Sequence, residues 1–307
     1  GGTLDAKQFR TANASGGLTA YRQTGGTFNL RGRIKNDISG ITGSSAVTDL
    51  AYVPLSYTQS TGGIQSAVGT FDIDRDDNIF EMSGGIINIY DVCGETGSSK
   101  AFEVNSLPAY FNVTGGDVYI IPTNGSRGNY DYYVASSAPI YNLTIDDSNS
   151  SGTFKVIQTN IPSKTGVTER LNPPLTVKNN LTLSNSATLN SAGYELQMGG
   201  DFNFPSGCTY TTGSNWTTFN GTGYQTFMGG GTINSGSGFY KLKLNKSDTL
   251  LIAGTPTTYT IQDSLYIEGG ILDDNGKTIN VKGNIYNAGK HTGTGKIVLN
   301  GSSVQYL

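Results

Sequence analysis

The sequence predicts an all-β chain wound as a right-handed parallel β-helix, with about three short strands per coil. Three observations predict it. Phe80-Glu81-Met82-Ser83-Gly84-Gly85-Ile86-Ile87-Asn88-Ile89 recurs 31 residues later as Phe111-Asn112-Val113-Thr114-Gly115-Gly116-Asp117-Val118-Tyr119-Ile120. A fixed period of that size marks a solenoid. Apolar residues come in pairs two apart, which a strand directs to one face. Gly is 43 of 307 residues and only 14% are charged, a composition of tight turns and Ser/Thr/Asn-covered strand faces. The alternation of apolar residues and the 18 tyrosines argue against disorder. A two-sheet sandwich array is the competing fold, since short strands with turn signals fit it too.

Each 31-residue unit carries three apolar pairs: Phe71/Ile73, Phe80/Met82 and Ile87/Ile89. Each pair is one short strand, and the Gly-Gly steps are expected at corners. Phe71 and Ile73 answer Phe102 and Val104, and Tyr21 to Leu30 is a degenerate earlier copy of Phe80 to Ile89. One such coil cannot bury its own inward face, so the coils must stack. The best helix candidate is one short turn at Thr3 to Phe9.

Residues 1–135 read as coils with Thr/Ser-Gly-Gly corners, with a looped-out stretch from Asn36 to Tyr57. Residues 136–307 read as a continuing β-helix with longer repeats. There Ile140 to Ile145 returns 99 residues later as Phe239 to Leu244, and Leu175 to Phe202 returns as Tyr259 to Ile285. In that match Leu181 and Leu183 answer Leu265 and Ile267. Phe219-Asn220-Gly221-Thr222-Gly223-Tyr224-Gln225-Thr226-Phe227 returns as Leu299-Asn300-Gly301-Ser302-Ser303-Val304-Gln305-Tyr306-Leu307. That second copy stops in mid-repeat, and Gly1-Gly2 shows neither an initiator Met nor a leader pattern. Both features predict a segment of a longer, processed polypeptide.

Net charge is −3 without a basic run, which disfavours nucleic acid and anionic membrane as partners. No stretch approaches 18 apolar residues, so direct membrane insertion is not expected. Cys93 and Cys208 lie about four coils apart, roughly 19 Å along the axis, too far for a disulfide. Both are expected to be free thiols.

Candidate chemistry is sparse. Asp72, Asp74, Asp76 and Asn78 have the alternating spacing of the first positions of a Ca²⁺ loop. Asp77 stands where such a loop needs Gly, and Ser83 where it needs Glu, so a solvated acidic turn is expected. Asp146-Asp147 and Asp273-Asp274, next to Ser, Asn or Gly, read as turn residues; as acid/base pairs they are disfavoured, because strand neighbours point to opposite faces. His291, the single histidine, reads as an exposed turn residue. Trp216, the single tryptophan, is expected to be packed or half-buried, with sugar stacking as the alternative. No catalytic, cofactor or metal residue is assigned.

The second-half repeats resemble those of very large surface adhesins of the Bacteroidota, especially flavobacteria. Leu181-Thr182-Leu183 with Leu189, Gly193 to Phe202 and Phe219 to Phe227 carry the resemblance. The Thr-Gly-Gly coils of the first half are similar in style, so it covers about residues 60–307. It implies export by the type IX secretion system, a place at the outer-membrane surface, and adhesion, in some members for gliding. Implied partners are extracellular surfaces or polysaccharides, and secretion or anchoring proteins. The sorting domain expected at the C-terminus of such cargo is not among these residues. Asp248-Thr249-Leu250 and Asp263-Ser264-Leu265 are similar to the O-glycosylation acceptors of that phylum, which would place a sugar on Thr249 or Ser264. The expected function is thus a structural and adhesive segment of a giant secreted protein. The alternative is a β-helical polysaccharide-binding module, lyase or glycosidase, which would need carboxylates aligned in a groove.

Overall fold

The computed structural model describes residues 1–6, 8–10, 20–30, 33–35, 65–67, 70–73, 75–90, 100–121, 130–148, 154–161, 163, 167–171, 173–234 and 238–307. These residues form a parallel β-helix. Strands from successive coils pair in parallel, apart from an antiparallel pair formed by Arg33–Lys35 and Gln65–Ala67. A 12-stranded long face runs from Thr3–Ala6 to Lys290–Thr292. A second face of eight strands runs from Gln8–Arg10 to Thr232–Ile233. A third face of six strands runs from Leu175–Val177 to Ile285–Asn287. Beyond Thr232–Ile233, a separate three-stranded sheet takes the second face's turn in the chain order; it comprises Thr258–Ile261, Thr278–Val281 and Lys296–Leu299.

The inward side chains form continuous columns, because parallel in-register strands place each on its equivalent one coil away. Phe9, Phe71 and Phe102 are in register on the second face, and their rings stack at centroid distances of 5.2 Å at each step. Phe80 pairs with Phe111, and Ile87 with Val118, the 31-residue period read from the sequence. Tyr21 pairs with Phe80 and Leu30 with Ile89, so the degenerate copy does lie in register. Outward amides form their own ladder: Asn88 donates to Asn29 at 2.9 Å, Asn142 to Asp117 at 2.9 Å, and Asn179 to Asn142 at 2.8 Å.

Three expectations need correction. The Gly84-Gly85 and Gly115-Gly116 steps are kinks within the strands Ile79–Tyr90 and Phe111–Ile121, not corners between separate strands. Gly85 and Gly116 have φ of 85° and 101°, and the pairing register shifts around Gly115, so the bend is absorbed as in a bulge. Thr3 to Phe9 holds the strand Thr3–Ala6 and the start of Gln8–Arg10, and the helical piece among the described residues is a 3₁₀ turn at Pro108–Tyr110.

The third correction concerns the long repeats. Leu143 lies on the long face, but Leu242 lies on the third. Leu181 lies on the long face, whereas Leu265 lies on the third. Among the described strands, Asn142–Asp146 and Lys241–Leu244 are twelfth and twenty-third, while Leu175–Val177 and Thr258–Ile261 are fourteenth and twenty-fifth. Trp216–Phe219 and Lys296–Leu299 are twentieth and thirty-first. Each match therefore spans 11 strands, and at three strands per coil that is three and two-thirds coils. The sequence copy is rotated by one face relative to its original. True coils here are shorter: 21 residues separate Leu181 from Phe202, and 25 separate Phe202 from Phe227.

Cys208 is a buried free thiol, and burial raises its pKa. Cys93, Asp74 and the Asn36 to Tyr57 loop lie outside the described residues.

Candidate functional site

The acidic turn is not a solvated loop. Asp76 Oδ1 accepts from Arg170 Nη2 at 2.5 Å, and Asp76 Oδ2 accepts from the Thr168 backbone N–H at 2.9 Å. The same guanidinium nitrogen donates to the Asn105 carbonyl at 2.7 Å. After the strand Phe154–Gln158, the described residues 159–161 and 167–171 lie against the outer side of the second face as a flap. Ile161 and Arg170 exchange backbone hydrogen bonds at 3.2 and 2.9 Å, and Ile161 and Val167 pack on Ala135. Asp72 and Glu103 are buried in the same outward row as Ala135, on which the flap packs. Glu103 thus answers Asp72 in the repeat. Asp76 is engaged by the flap, and Asp74, the second member of the alternating pattern, lies outside the described residues; among the described residues no group of three or more His, Cys, Asp or Glu side chains is placed to hold a metal.

Asp76 and Arg170 side chains are only 16% and 18% exposed, so their loss costs more than a surface pair. Asp76→Ala removes charge-assisted bonds worth roughly 1.5–3 kcal/mol each. Trypsin cleavage after Arg170 in the native protein should therefore accelerate by about tenfold or more, with the β signal in circular dichroism unchanged. An unchanged cleavage rate would show that the flap is held by Ile161 and Val167 alone.

In the two Asp pairs, Asp146 and Asp274 brace turns. Asp146 Oδ1 accepts from the Ser148 N–H at 2.8 Å and from Asn185 Nδ2 at 2.9 Å. Asp274 is fully buried; its Oδ1 accepts from the Gly276 and Gly295 N–H groups at 2.9 and 2.8 Å, and its Oδ2 meets His291 Nε2 at 2.7 Å. His291 is accordingly half-buried, on the inward column after Leu250 and Leu272, rather than an exposed turn residue. Sequence reading missed this because a histidine flanked by glycines looks like a turn.

One lysine and three tyrosines make stability depend on pH. Lys246 Nζ is enclosed by the Gly223 and Thr249 carbonyls at 2.7 and 2.8 Å, and burial lowers its pKa to about 8, with Asp248 and Asp201 opposing. The unfolded chain, with an ordinary lysine pKa near 10.4, holds that proton longer. Stability should therefore rise as pH increases from 8 to 10. Tyr259 donates to the Gly229 and Ala253 carbonyls, and burial raises its pKa to about 12. Burial also raises the pKa of Tyr21 and Tyr210. Their stabilisation is complete below pH 10 and is lost as pH climbs through the folded-state values. Urea midpoints should thus climb from pH 8 to about 10 and then fall. Lys246→Met should abolish the climb but keep the fall; a climb that persists in that variant refutes the assignment.

The outer side of the third face differs from the Thr/Ser/Asn surface elsewhere. One outward row reads Thr176, Gln197, Thr218, Lys243, Tyr266 and Tyr286, each in register with the next. Beside it, Trp216 pairs with Lys241. Trp216 and Tyr266 meet edge-on with centroids 4.8 Å apart, and Tyr266 and Tyr286 are 5.5 Å apart. Lys243 Nζ lies 4.8 Å and Lys241 Nζ 5.5 Å from the centre of the Trp216 ring, within cation–π range. Both amines are also balanced: Lys241 by Asp263 at 3.4 Å, Lys243 by Glu268 at 3.6 Å. Glu195, one coil below Trp216, accepts from Thr218 Oγ1 at 2.6 Å.

Trp216 is half-buried, as expected, but its neighbours were not foreseen. Their signal was the middle residue of Leu242-Lys243-Leu244, Leu265-Tyr266-Ile267 and Ile285-Tyr286-Asn287, which alignment by the rotated repeat hides. Ser264 is half-buried beside the strip and donates to Asp263 Oδ1 at 2.9 Å, while the Thr249 carbonyl is one of the two that hold Lys246. No helix among the described residues is long and apolar enough to cross a membrane. No protein-family model, curated protein or solved structure matches the chain.

Proposed function

We propose that this chain is a structural and adhesive segment of a secreted cell-surface protein, carried outward on its own β-helix. One observation carries the reading: Trp216, Lys243, Tyr266 and Tyr286 project outward in rows fixed by strand pairing, with rings 4.8–5.5 Å apart. A side chain on a hydrogen-bonded ladder is held in place before anything binds, so little freedom is lost on contact. Repetition along the axis then gives avidity from weak individual contacts. The resemblance to Bacteroidota adhesin repeats supports the same reading, with export to the outer surface by the type IX route.

The test is to treat intact producing cells with a protease that cannot enter them and to follow peptides of this region by mass spectrometry. Loss of these peptides from intact cells, together with retention of the purified chain on abiotic or polysaccharide-coated surfaces, is the expected result. Peptides that remain protected until the cells are lysed would refute surface display.

A further inference from the structure

We infer that the Trp216–Tyr266–Tyr286 strip is a binding site for a neutral pyranose polymer laid along the solenoid axis. The inference rests on the adhesive reading and names the ligand that one face would hold. Spacing is the first argument. Trp216, Tyr266 and Tyr286 stand on coils zero, two and three steps along the third face, a backbone span of about 14 Å at about 4.8 Å per coil, and the Trp216 ring reaches across the intervening coil so that successive rings lie 4.8 and 5.5 Å apart. A pyranose ring with its glycosidic oxygen is close to one coil step in length. Successive sugars can therefore meet successive rings, which are 4.8 and 5.5 Å apart.

Chemistry is the second argument. A pyranose with equatorial hydroxyls presents an apolar C–H face and a polar rim. The strip presents the same division. The Tyr286 ring is open, with the residue 52% exposed, and Tyr266 stands 5.5 Å behind it, supported edge-on by Trp216. Flanking the rings are donors and acceptors suited to hydroxyls: Lys241, Lys243, Asp263 and Glu268.

Charge selects the class of glycan. Each amine already has a carboxylate within 4 Å, and Glu195 adds a further negative charge at the near end. A polyanion would find no unbalanced cation here and would meet carboxylates at both flanks. A neutral chain exchanges hydroxyl hydrogen bonds without separating these pairs. A protein partner would want a continuous apolar core to its interface, and here charged groups flank the rings.

The chain has one tryptophan, and it stands in the strip, so its fluorescence reports on this site alone. The experiment titrates the full chain with soluble neutral glycans (a β-glucan, a xylan, a mannan, a galactan and chitin oligomers) and with the polyanions alginate and heparin. Affinity electrophoresis runs in parallel. At least one neutral glycan should shift Trp216 emission and retard the protein, with little dependence on salt. Tyr286→Ala, at an exposed position that leaves the core intact, should weaken binding by about tenfold or more, the loss of one aromatic anchor. Tyr286→Phe should keep most of it. Failure of every neutral glycan, binding of the polyanions alone, or equal binding by Tyr286→Ala would overturn the inference. A concentration-dependent emission change without glycan, accompanied by dimers in sedimentation, would overturn it in favour of a second copy on this face. If Tyr286→Ala adheres to surfaces as the parent does, the glycan inference fails and the adhesive reading stands. If neither protein adheres and cell-surface shaving also fails, the adhesive reading falls too.

Discussion

Phe227→Ala should be among the most destabilising single substitutions in the chain, costing about 3–5 kcal/mol. Phe227 is fully buried on the long face, in register between Phe202 and Ile252. Its ring lies 5.7 Å from Phe202, 5.5 Å from Phe204, 5.2 Å from Phe239 and 5.5 Å from Tyr259, so it joins coils below and above it. A solenoid cannot close such a hole easily, because the backbone spacing on each side is fixed by the ladder. The cost should appear as a lower urea midpoint and as faster amide exchange centred on the coils around residues 202–259. Phe227→Leu keeps most of the volume and should recover well over half of the loss. An alanine variant as stable as the parent would mean that the core at this level is loosely packed.

Gln225→Ala should cost about 2–4 kcal/mol, although beyond the amide it removes only one methylene. Gln225 is 1% exposed, and its amide joins three backbone groups. Nε2 donates to the Met198 and Gly200 carbonyls at 3.1 and 2.6 Å, and Oε1 accepts from the Gly221 N–H at 3.1 Å. Removing the amide leaves three buried main-chain groups without that partner, and such a group costs about 1–3 kcal/mol when it cannot reach water. Gln305 repeats the arrangement, donating to the Val281 and Gly283 carbonyls and accepting from the Gly301 N–H at 2.8 Å. It is half-buried, so Gln305→Ala should cost clearly less. The glycine four residues before each glutamine is part of the same device. A Cβ on Gly221 or Gly301 would fall inside van der Waals contact of the Gly199 or Lys282 carbonyl oxygen of the preceding coil. Equal losses at Gln225 and Gln305 in chemical denaturation would contradict the dependence on burial.

These two positions show what was legible in the sequence. The Asn-Gly-x-x-x-Gln recurrence was visible as a repeat, and the structure gives its reason. It is a corner staple, used once beside the long face and once beside the third. Its two copies lie 11 strands apart, so a staple marks a kind of corner and not a fixed face. Inward columns were legible because burial forces alternation, as at Phe71/Ile73 and Phe102/Val104. The flap was not, because Thr168, Arg170 and Asp76 carry no periodic signal, and 94 residues separate the ion pair's members. The strip was read only at Trp216. Outward residues are free of the folding constraint, and only the register shows that Lys243, Tyr266 and Tyr286 form one row.

Strands of each coil pair in parallel with those of the neighbouring coils, forming a rod whose outward rows are set by the ladder. Single-molecule stretching between the chain ends tests it directly. Coils stacked in this way should peel one at a time, releasing steps of roughly 60–140 Å for coils of about 18–38 residues from Ile87 onward, at about 3.3–3.6 Å per residue. Phe227→Ala and Gln225→Ala should lower the force of the steps near their own coils and leave the others unchanged. Release of the whole contour in one event, or a mutation that weakens every step alike, would contradict the coil-by-coil rod and with it the register that builds the strip.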